Sequence, residues 1–231
     1  MNDKILIYYR VSNNSYNKVK PHYVTKLNCL TNFIKNFSEE EIHIVGDNLT
    51  DVDIKTFILS NTNLTFESTN LGNAASFKYC LDKCIKMNDE NRIVYFVEDD
   101  YIHRKNSSVI LKEGINLGAD FVSLYDHPDK YMDGINPYVE DGGEETKVFL
   151  SKSCHWKFSN STTMTFASKI KTLQETYNVI QSFVSDSHPQ DFQMFLKLRE
   201  LGKSLITSIP GYSTHGESAW LTPLINWETE L

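Results

Sequence analysis

The sequence predicts an α/β fold, in which a mixed, mainly parallel central sheet is flanked by helices. Through the first half of the 231-residue chain, strand-like apolar runs alternate with segments of helical periodicity. One run, at 93–97, is continuously apolar, as is typical of a central strand buried on both faces. At this length one continuous core is the default, so we expect a single domain over 1–231.

The elements of the first half follow from short apolar runs for strands and from apolar residues three or four positions apart for helices. In chain order they are a strand at 5–9, a helix at 21–37, a strand at 42–45, a short helix at 54–59, a strand at 64–66, a helix at 73–87 and the buried strand at 93–97.

The second half is predicted by the same signals, with one exception. Between 126 and 146 the composition turns to Asp, Gly, Pro and Glu, which indicates a long surface loop, interpreted as a mobile flap. The other elements are a helix at 107–117 that ends at Gly118, strands at 121–124, 148–151 and 162–166, helices at 168–184 and 189–201, and a strand at 205–209.

Charge and the N-terminal sequence restrict the classes of partner. The formal charge of -7 argues against nucleic acid as a partner, because binding to a phosphate backbone needs dense cationic surface. The apolar stretch at 5–9 is interrupted too soon, by Arg10, to be a signal peptide or a transmembrane segment. The expectation is therefore a cytoplasmic protein.

An acidic cluster, Glu98-Asp99-Asp100, directly follows the buried strand. Unpaired buried carboxylates are costly, so a positive group is expected beside them. In open α/β sheets the ligand crevice lies at the carboxyl ends of the strands, which is where these acids fall. The cluster predicts a divalent metal site, and the alternative is a solvated acidic turn.

The segment Tyr95-Phe-Val-Glu-Asp-Asp-Tyr101 resembles the metal-binding motif of GT-A-fold, nucleotide-sugar-dependent glycosyltransferases, in which D-x-D or E-D-D follows an apolar strand. The preceding Ser68-Thr-Asn-Leu-Gly-Asn-Ala-Ala75 and the later His and Asp motifs fit the same order of elements. The nearest kind is the small stand-alone transferase of viral or bacterial type. This resemblance implies a GT-A-like, Rossmann-related fold with a nucleotide-sugar-binding half at 1–125 and an acceptor and catalytic half at 126–231.

Carried onto this sequence, the resemblance makes Asp100 a ligand of Mn²⁺ or Mg²⁺, lets Asp99 bind ribose or sugar hydroxyls, and lets Glu98 orient the turn. His215, in a Gly- and Ser-rich segment, would complete the metal shell, unless it is simply a surface histidine. A hard cation needs oxygen ligands and bridges the protein to a diphosphate.

The resemblance also implies donor contacts elsewhere. The nucleotide base would bind at the end of strand one, and a phosphate would bind the arginine of that strand. An acid after the second strand would contact the base or the ribose, and a helix start would line the diphosphate and the sugar. For each, a plain turn or helix start is the alternative. The residues are Tyr8, Tyr9, Arg10, Asp47, Asn73 and Lys78.

Asp191 matches the position of the general base, which would accept the proton of the acceptor hydroxyl and give inversion. Alternatively it is an acidic residue that favours a helix N-terminus. Gln190 replaces the acid that usually precedes the base, which leaves the base open, with Asp186 as the fallback. Acceptor contacts are expected from the hydroxyl-rich 161–165 and from stacking on His155, Trp156 or Trp220.

The sequence therefore predicts a metal-dependent glycosyltransferase that moves a sugar from a nucleoside diphosphate sugar, with a UDP-sugar favoured, to a glycan acceptor hydroxyl. One alternative is a nucleotidyltransferase or sugar-nucleotide pyrophosphorylase, although these usually open with a Gly-rich loop and 8–18 contains no glycine. Another is an inactive sugar-binding module. The C-terminal 220–231 would close over the site or pack in a dimer.

Overall fold

A computed structural model describes residues 3–13 and 18–231. The strands are β1 (Leu6–Ser12), β2 (Glu41–Asp47), β3 (Leu64–Thr69), β4 (Ile93–Glu98), β5 (Tyr101–His103), β6 (Phe121–Ser123), β7 (Val139–Glu140), β8 (Gly143–Glu144), β9 (Val148–Leu150), β10 (His155–Phe158), β11 (Phe166–Lys169), β12 (Leu205–Ile209) and β13 (Ser213–His215). The helices are α1 (Lys26–Asn36), α2 (Val52–Ser60), α3 (Asn73–Cys84), α4 (Ser107–Asn116), α5 (Ile170–Ser182) and α6 (Asp191–Glu200). Short 3-10 turns occur at Pro128–Tyr131, Ser218–Trp220 and Trp227–Glu230.

In the described ranges, nine strands form one sheet in the order β3-β2-β1-β4-β11-β6-β12-β10-β9. Seven of them run in the same direction, and β11 and β10 run against it. This confirms the predicted mixed, mainly parallel sheet. Strands from both sides of residue 125 join this sheet, β1 to β4 from the first part and β9 to β12 from the second.

Helices cover both faces of the sheet. The side chains of β1 point alternately toward these two faces. Tyr9 and Val11 point into a core that contains Phe33 of α1, while Leu6 and Tyr8 point into the opposite core, with α3, α5 and α6. Residues two apart share a face, so Arg10 lies on the α3 side. The sheet is therefore the middle layer of three.

A topological switch point lies beside β1. The chain moves from β1 outward to β2 and β3, and then returns through α3 to β4 on the other side of β1. The carboxyl ends of these strands meet at one edge, with Arg10 opposite Glu98 and Ser12 opposite Asp47. Ligands of open α/β sheets bind at such a reversal, so this edge is where a site is expected.

The predicted boundaries were wrong in a few places. The helix expected from 21 begins at Lys26, because the hydroxyl of Thr25 caps it by accepting from the amide of Asn28. The strand expected at 162–166 lies at Phe166–Lys169, and 162–165 leads into it without strand structure. Strands β5, β10 and β13 were missed, since three or four residues with histidines give no clear alternation.

The segment at 126–146 lies largely at the surface, as expected, but it contains the short strands β7 and β8 and several buried polar side chains. Lys130, only 2% exposed, donates from its Nζ to Asn160 Oδ1 at 2.5 Å and to Ser161 Oγ at 2.8 Å. Asn136, also buried, donates to Asp129 at 3.0 Å. A polar side chain that is buried must find partners, and these contacts tie the segment to the strand-rich half of the molecule.

The C-terminal segment packs on its own chain. Trp227 is buried with Val24, Cys29 and Ile102, and its indole donates to the carbonyl of Thr222 at 2.9 Å. The amide of Asn32 in α1 donates to the carbonyl of Glu230 at 2.8 Å. This apolar surface is thus covered within the chain. No helix in the described ranges is long and apolar enough to cross a bilayer.

Candidate functional site

A cavity of about 400 Å³ opens at the carboxyl ends of β1 and β4, next to the N-terminus of α3. Its volume is within the range of small-molecule sites. The lining residues are Arg10, Val11, Ser12, Lys18, Asp47, Gly72, Asn73, Ser76, Glu98, Asp99, Asp100 and His188. Six of the predicted site residues therefore share one cavity: Arg10, Asp47, Asn73, Glu98, Asp99 and Asp100.

Arg10 is a fixed cation in this cavity. It is 6% exposed, and its guanidinium pairs with Glu98 at 3.2 Å. It also donates to the carbonyl of Asn73 at 2.9 Å and to Ser76 Oγ at 3.1 Å, so it joins β1, β4 and α3. Its Nε has no hydrogen-bond partner among the described residues. This Nε is therefore a buried donor that is left unsatisfied.

The other two acids of the cluster are also matched by basic side chains. Asp99 Oδ2 accepts from Lys26 Nζ at 2.7 Å and from the amide of Ser12 at 2.9 Å. Asp100 Oδ2 lies 3.2 Å from Lys18 Nζ and 3.0 Å from Lys20 Nζ. The positive charge that the sequence required is therefore present in the protein itself, and the acidic cluster alone does not demand a metal ion.

Asp100 also contacts the predicted partner His215. The short sheet of β5 and β13 pairs Tyr101 with His215 and so brings the imidazole Nε2 to 3.3 Å from Asp100 Oδ2. Burial would raise the pKa of Asp100, but the basic side chains around its carboxylate, Lys18 and Lys20 among them, outweigh burial and hold the pKa well below its usual range. Asp100 is therefore a carboxylate at any physiological pH.

Asp100 and His215 are the two residues that could hold a divalent ion. Carboxylate oxygen and imidazole nitrogen are ligands that Mn²⁺ takes, and adjacent ligands of a six-coordinate ion lie about 3 Å apart. Across residues 3–13 and 18–231 no three His, Cys, Asp or Glu side chains converge in a metal-binding arrangement. Asp100 and His215 would hold the ion, and diphosphate oxygens would complete its shell, as is common for Mg²⁺-type sites.

Asp47 has a structural use that the sequence did not reveal. Its carboxylate accepts from Thr69 Oγ1 at 2.8 Å, from the amides of Leu71 and Gly72 at 2.6 and 2.9 Å, and from Asn48 Nδ2 at 3.0 Å. These bonds use the acceptor capacity of a carboxylate and fix the turn that starts α3. A contact of Asp47 to the base or ribose stays a prediction, and it requires the carboxylate to replace some of these hydrogen bonds with bonds to the ligand.

The structure does not bring three predicted donor residues to the cavity. The ring of Tyr8 stacks 6.1 Å from that of Phe96, and the ring of Tyr9 packs 4.9 Å from that of Phe33, so both are core side chains. Alternation along β1 sends them to opposite faces of the sheet. Lys78 pairs with Asp82 at 2.6 Å, one turn along α3. The side chains of these three residues do not line the cavity.

A second cavity, of about 130 Å³, contains Asp191. It is lined by His127, Asp129, Lys130, Ser161, Thr162, Thr163, Asp191 and Phe192. Burial, followed by the negative charge of Glu98, raises the pKa of Asp191 to about 6. Glu98 lines the first cavity, so the two cavities are close enough for their charges to interact. The fallback Asp186 is exposed and lines neither cavity.

Only some of the residues that were expected to contact the acceptor lie at the second cavity. The hydroxyl-rich 161–163 does line the second cavity. The Trp220 ring lies 5.2 Å from that of His127, at its margin. The prediction for Trp156 was wrong, since the ring is fully buried and its Nε1 donates to Ser151 Oγ at 3.0 Å. His155, on the same strand, is exposed and lines neither cavity.

Sequence reasoning missed five site residues: Lys18, Lys20, Lys26, His127 and His188. The pair Lys18-Val-Lys20 follows the strand that ends at the switch point, and His127 lies four residues after the end of β6. Position after a strand was thus an available signal, although it does not say which acid a lysine will meet.

Comparison with known proteins places the fold. No family model matches the sequence, and no curated protein matches it. Among solved structures, GalNAc-T7 with UDP, GalNAc and Mn²⁺ has a TM-score of 0.59 at 12% identity, over 92% of this chain and 43% of that one. The Staphylococcus aureus protein TarS, residues 1–349, has a TM-score of 0.53 at 14% identity in complex with UDP-GlcNAc, over 99% and 61%.

The UDP complex of the same TarS fragment has a TM-score of 0.52 at 18% identity, over 91% of this chain and 59% of that one. These structural neighbours are GT-A glycosyltransferases, and the present chain has their fold, as the acidic motif predicted. It spans about half the length of the structures it matches.

Proposed function

We propose that this protein is a glycosyltransferase that transfers a sugar from a nucleoside diphosphate sugar, with a UDP-sugar favoured, to a hydroxyl of a glycan acceptor. The observation that carries the proposal is the neighbouring position of two unlike cavities. One holds fixed cations at the switch point of the sheet, and the other holds a carboxyl group whose pKa is raised toward neutrality.

The first cavity suits the diphosphate of the donor. Arg10 offers a buried guanidinium, Lys18 offers an ammonium, and the N-terminal residues of α3, Gly72 and Asn73, form one wall. A helix N-terminus favours negative charge, and guanidinium groups bind phosphate oxygens through paired hydrogen bonds. Asp99 would contact sugar or ribose hydroxyls, and Glu98 would orient the turn. Complexes of the neighbours with UDP and UDP-GlcNAc favour uridine as the base.

The second cavity suits the acceptor, with Asp191 as the general base. Its raised pKa makes it a stronger base than an ordinary aspartate, and the group is still mostly ionised at pH 7. Asp191 takes the proton as the acceptor oxygen forms its bond to the anomeric carbon. The bond from that carbon to the diphosphate oxygen breaks, and its electron pair leaves with the nucleoside diphosphate. Attack from the opposite side would invert the configuration.

We further propose that Asp100 and His215 hold Mn²⁺ or Mg²⁺ during transfer. Such an ion stabilises the charge that grows on the departing diphosphate. The Mn²⁺ in the GalNAc-T7 structure supports this proposal. The carboxylate of Asp100 is already ionised, and so it needs no proton release to bind the ion.

Thermal stability against UDP-, GDP-, dTDP- and CMP-sugars, with and without Mn²⁺, tests the donor site. A ligand that binds only the folded state at 100 times its Kd stabilises it by about 2.7 kcal/mol. We expect a shift with UDP-sugars, and release of UDP once an acceptor is added. No shift with any nucleotide sugar would contradict the proposal. Pyrophosphate release from a nucleoside triphosphate would indicate the nucleotidyltransferase alternative, and binding without turnover the inactive module.

A further inference from the structure

We propose that the Lys18 ammonium is the resident cation of this site, and that Lys18 and a divalent metal ion exclude each other from the position between Asp100 and His215. The proposal concerns the same cavity as the proposed function and rests on it only for the role of the nucleotide. It assigns Lys18 a binding role that the acidic motif does not contain.

The geometry places one nitrogen between the two metal-ligand candidates. Lys18 Nζ lies 3.2 Å from Asp100 Oδ2 and 2.9 Å from His215 Nε2, and these two atoms are themselves 3.3 Å apart. The ammonium thus contacts both atoms that a metal ion would bind. Lys20 Nζ approaches the same carboxylate oxygen at 3.0 Å from its own position in the chain.

Hydrogen-bond chemistry makes this occupation exclusive. A lysine ammonium has donors only, so His215 Nε2 must accept the hydrogen bond through its lone pair. A ring nitrogen has one lone pair in the ring plane, and a metal ion requires the same one. Asp100 is only 5% exposed, and its Oδ2 already contacts the ammonium groups of both Lys18 and Lys20. The metal ion binds this pair only when Lys18 has moved away.

Lys18 lines the donor cavity, in which its ammonium pairs with Asp100. An ammonium displaced from the acids remains in the cavity that it lines, where a diphosphate offers it new acceptors. Lys18 therefore supplies positive charge to the nucleotide whether or not a metal ion is present.

Manganese binding without nucleotide tests the exclusion directly. The free Mn²⁺ signal in electron paramagnetic resonance is titrated with wild type, Lys18→Met, Lys18→Arg and, as a matched control, Lys105→Met, which removes an exposed lysine outside the cavity. Because an occupied site lowers apparent affinity by the fraction that is open, we expect Lys18→Met to bind Mn²⁺ at least about tenfold more tightly than wild type. Lys18→Arg and Lys105→Met should stay at the wild-type value.

Equal Mn²⁺ affinity in Lys18→Met and wild type would overturn the proposal, and so would equally tight binding by Lys18→Arg and Lys18→Met. Circular dichroism establishes that each variant is folded. This measurement needs neither nucleotide nor turnover, so it decides the role of Lys18 even if the protein is not a glycosyltransferase.

UDP binding in EDTA tests the second consequence. Wild type should retain a UDP-dependent increase in Tm without metal, whereas Lys18→Met should lose most of it and regain it when Mn²⁺ is added. Loss of UDP binding by wild type in EDTA would contradict the role of Lys18 toward the diphosphate. If UDP stabilises no variant, with or without Mn²⁺, the proposed function fails while the manganese titration still stands.

Discussion

The two cavities use the same residue type in opposite ways. In the donor cavity Asp100 faces Lys18 and Lys20, and its pKa lies well below the usual range. In the neighbouring cavity Asp191 has no basic side chain bonded to it in the part of the chain that the structure describes, and its pKa is raised to about 6. Environment thus separates a permanent carboxylate from one that can gain a proton near neutrality.

The difference arises from where the cations come from. Arg10 belongs to β1, Lys18 and Lys20 to the segment between β1 and α1, and Lys26 to the start of α1, and all four pair with acids of the first cavity. Asp191 begins α6, on the far side of β4, where Glu98 adds negative charge. A carboxylate that binds ligands and a carboxylate that moves a proton are thereby kept apart.

Asp191→Asn should have the largest effect on transfer. The amide fills the same space but cannot accept the acceptor's proton, so we expect kcat to fall by roughly a thousandfold, within the usual range for a general base. UDP affinity should change by less than about twofold, because Asp191 does not line the donor cavity. Asp186→Asn, which changes an exposed acid, is the control. Transfer that survives in Asp191→Asn would move the base to another residue.

Arg10→Lys should weaken donor binding without removing charge. Lysine cannot contact Asn73, Ser76 and Glu98 together as the guanidinium does, so the cation is no longer fixed. We expect UDP affinity, measured by calorimetry, to fall about 10- to 100-fold, which corresponds to roughly 1.4–2.7 kcal/mol. Unchanged affinity in a folded variant would show that Arg10 serves the structure alone.

The pH dependence of transfer should follow Asp191. The ionised base is active, so the rate should be constant well above pH 6 and fall about tenfold per pH unit well below it. UDP-sugar affinity should not follow this inflection, since the pKa of Asp100 is far lower and the diphosphate of a UDP-sugar stays ionised in this range. Measuring kcat and UDP-sugar binding over pH 4.5–8 would separate the two carboxylates. A parallel loss of both with an inflection near 6 would contradict the contrast.

Lys78→Met should have the smallest effect. Lys78 pairs with Asp82 and lies 3.3 Å from the hydroxyl of Tyr177, away from both cavities. Substitutions of this kind on a surface usually change free energy by less than about 0.5 kcal/mol. We expect UDP affinity, again from calorimetry, to change by less than about twofold. A larger loss would restore Lys78 to the donor site that the resemblance predicted.

Local patterns accounted for much of the fold. The apolar run at 93–97 predicted a buried strand, and β4 occupies 93–98 at the centre of the sheet. Helical spacing located α3 and α6 to within a few residues. The two-stranded sheet of β5 and β13 escaped notice, because it pairs Tyr101 with His215 across more than a hundred residues and neither strand has enough length for a periodic signal.

Local sequence patterns were enough to predict the alternation of strands and helices, the position of Glu98-Asp99-Asp100 at the end of a buried strand, and the place of Asp191 at a helix start. Each of these is a local property, read from neighbouring residues. Local patterns could not show that Tyr8 and Tyr9 belong to the core, or that Lys18 lies between Asp100 and His215. Which charges meet depends on contacts between residues far apart in the chain, and the burial that shifts a pKa exists only once the sheet and helices have packed.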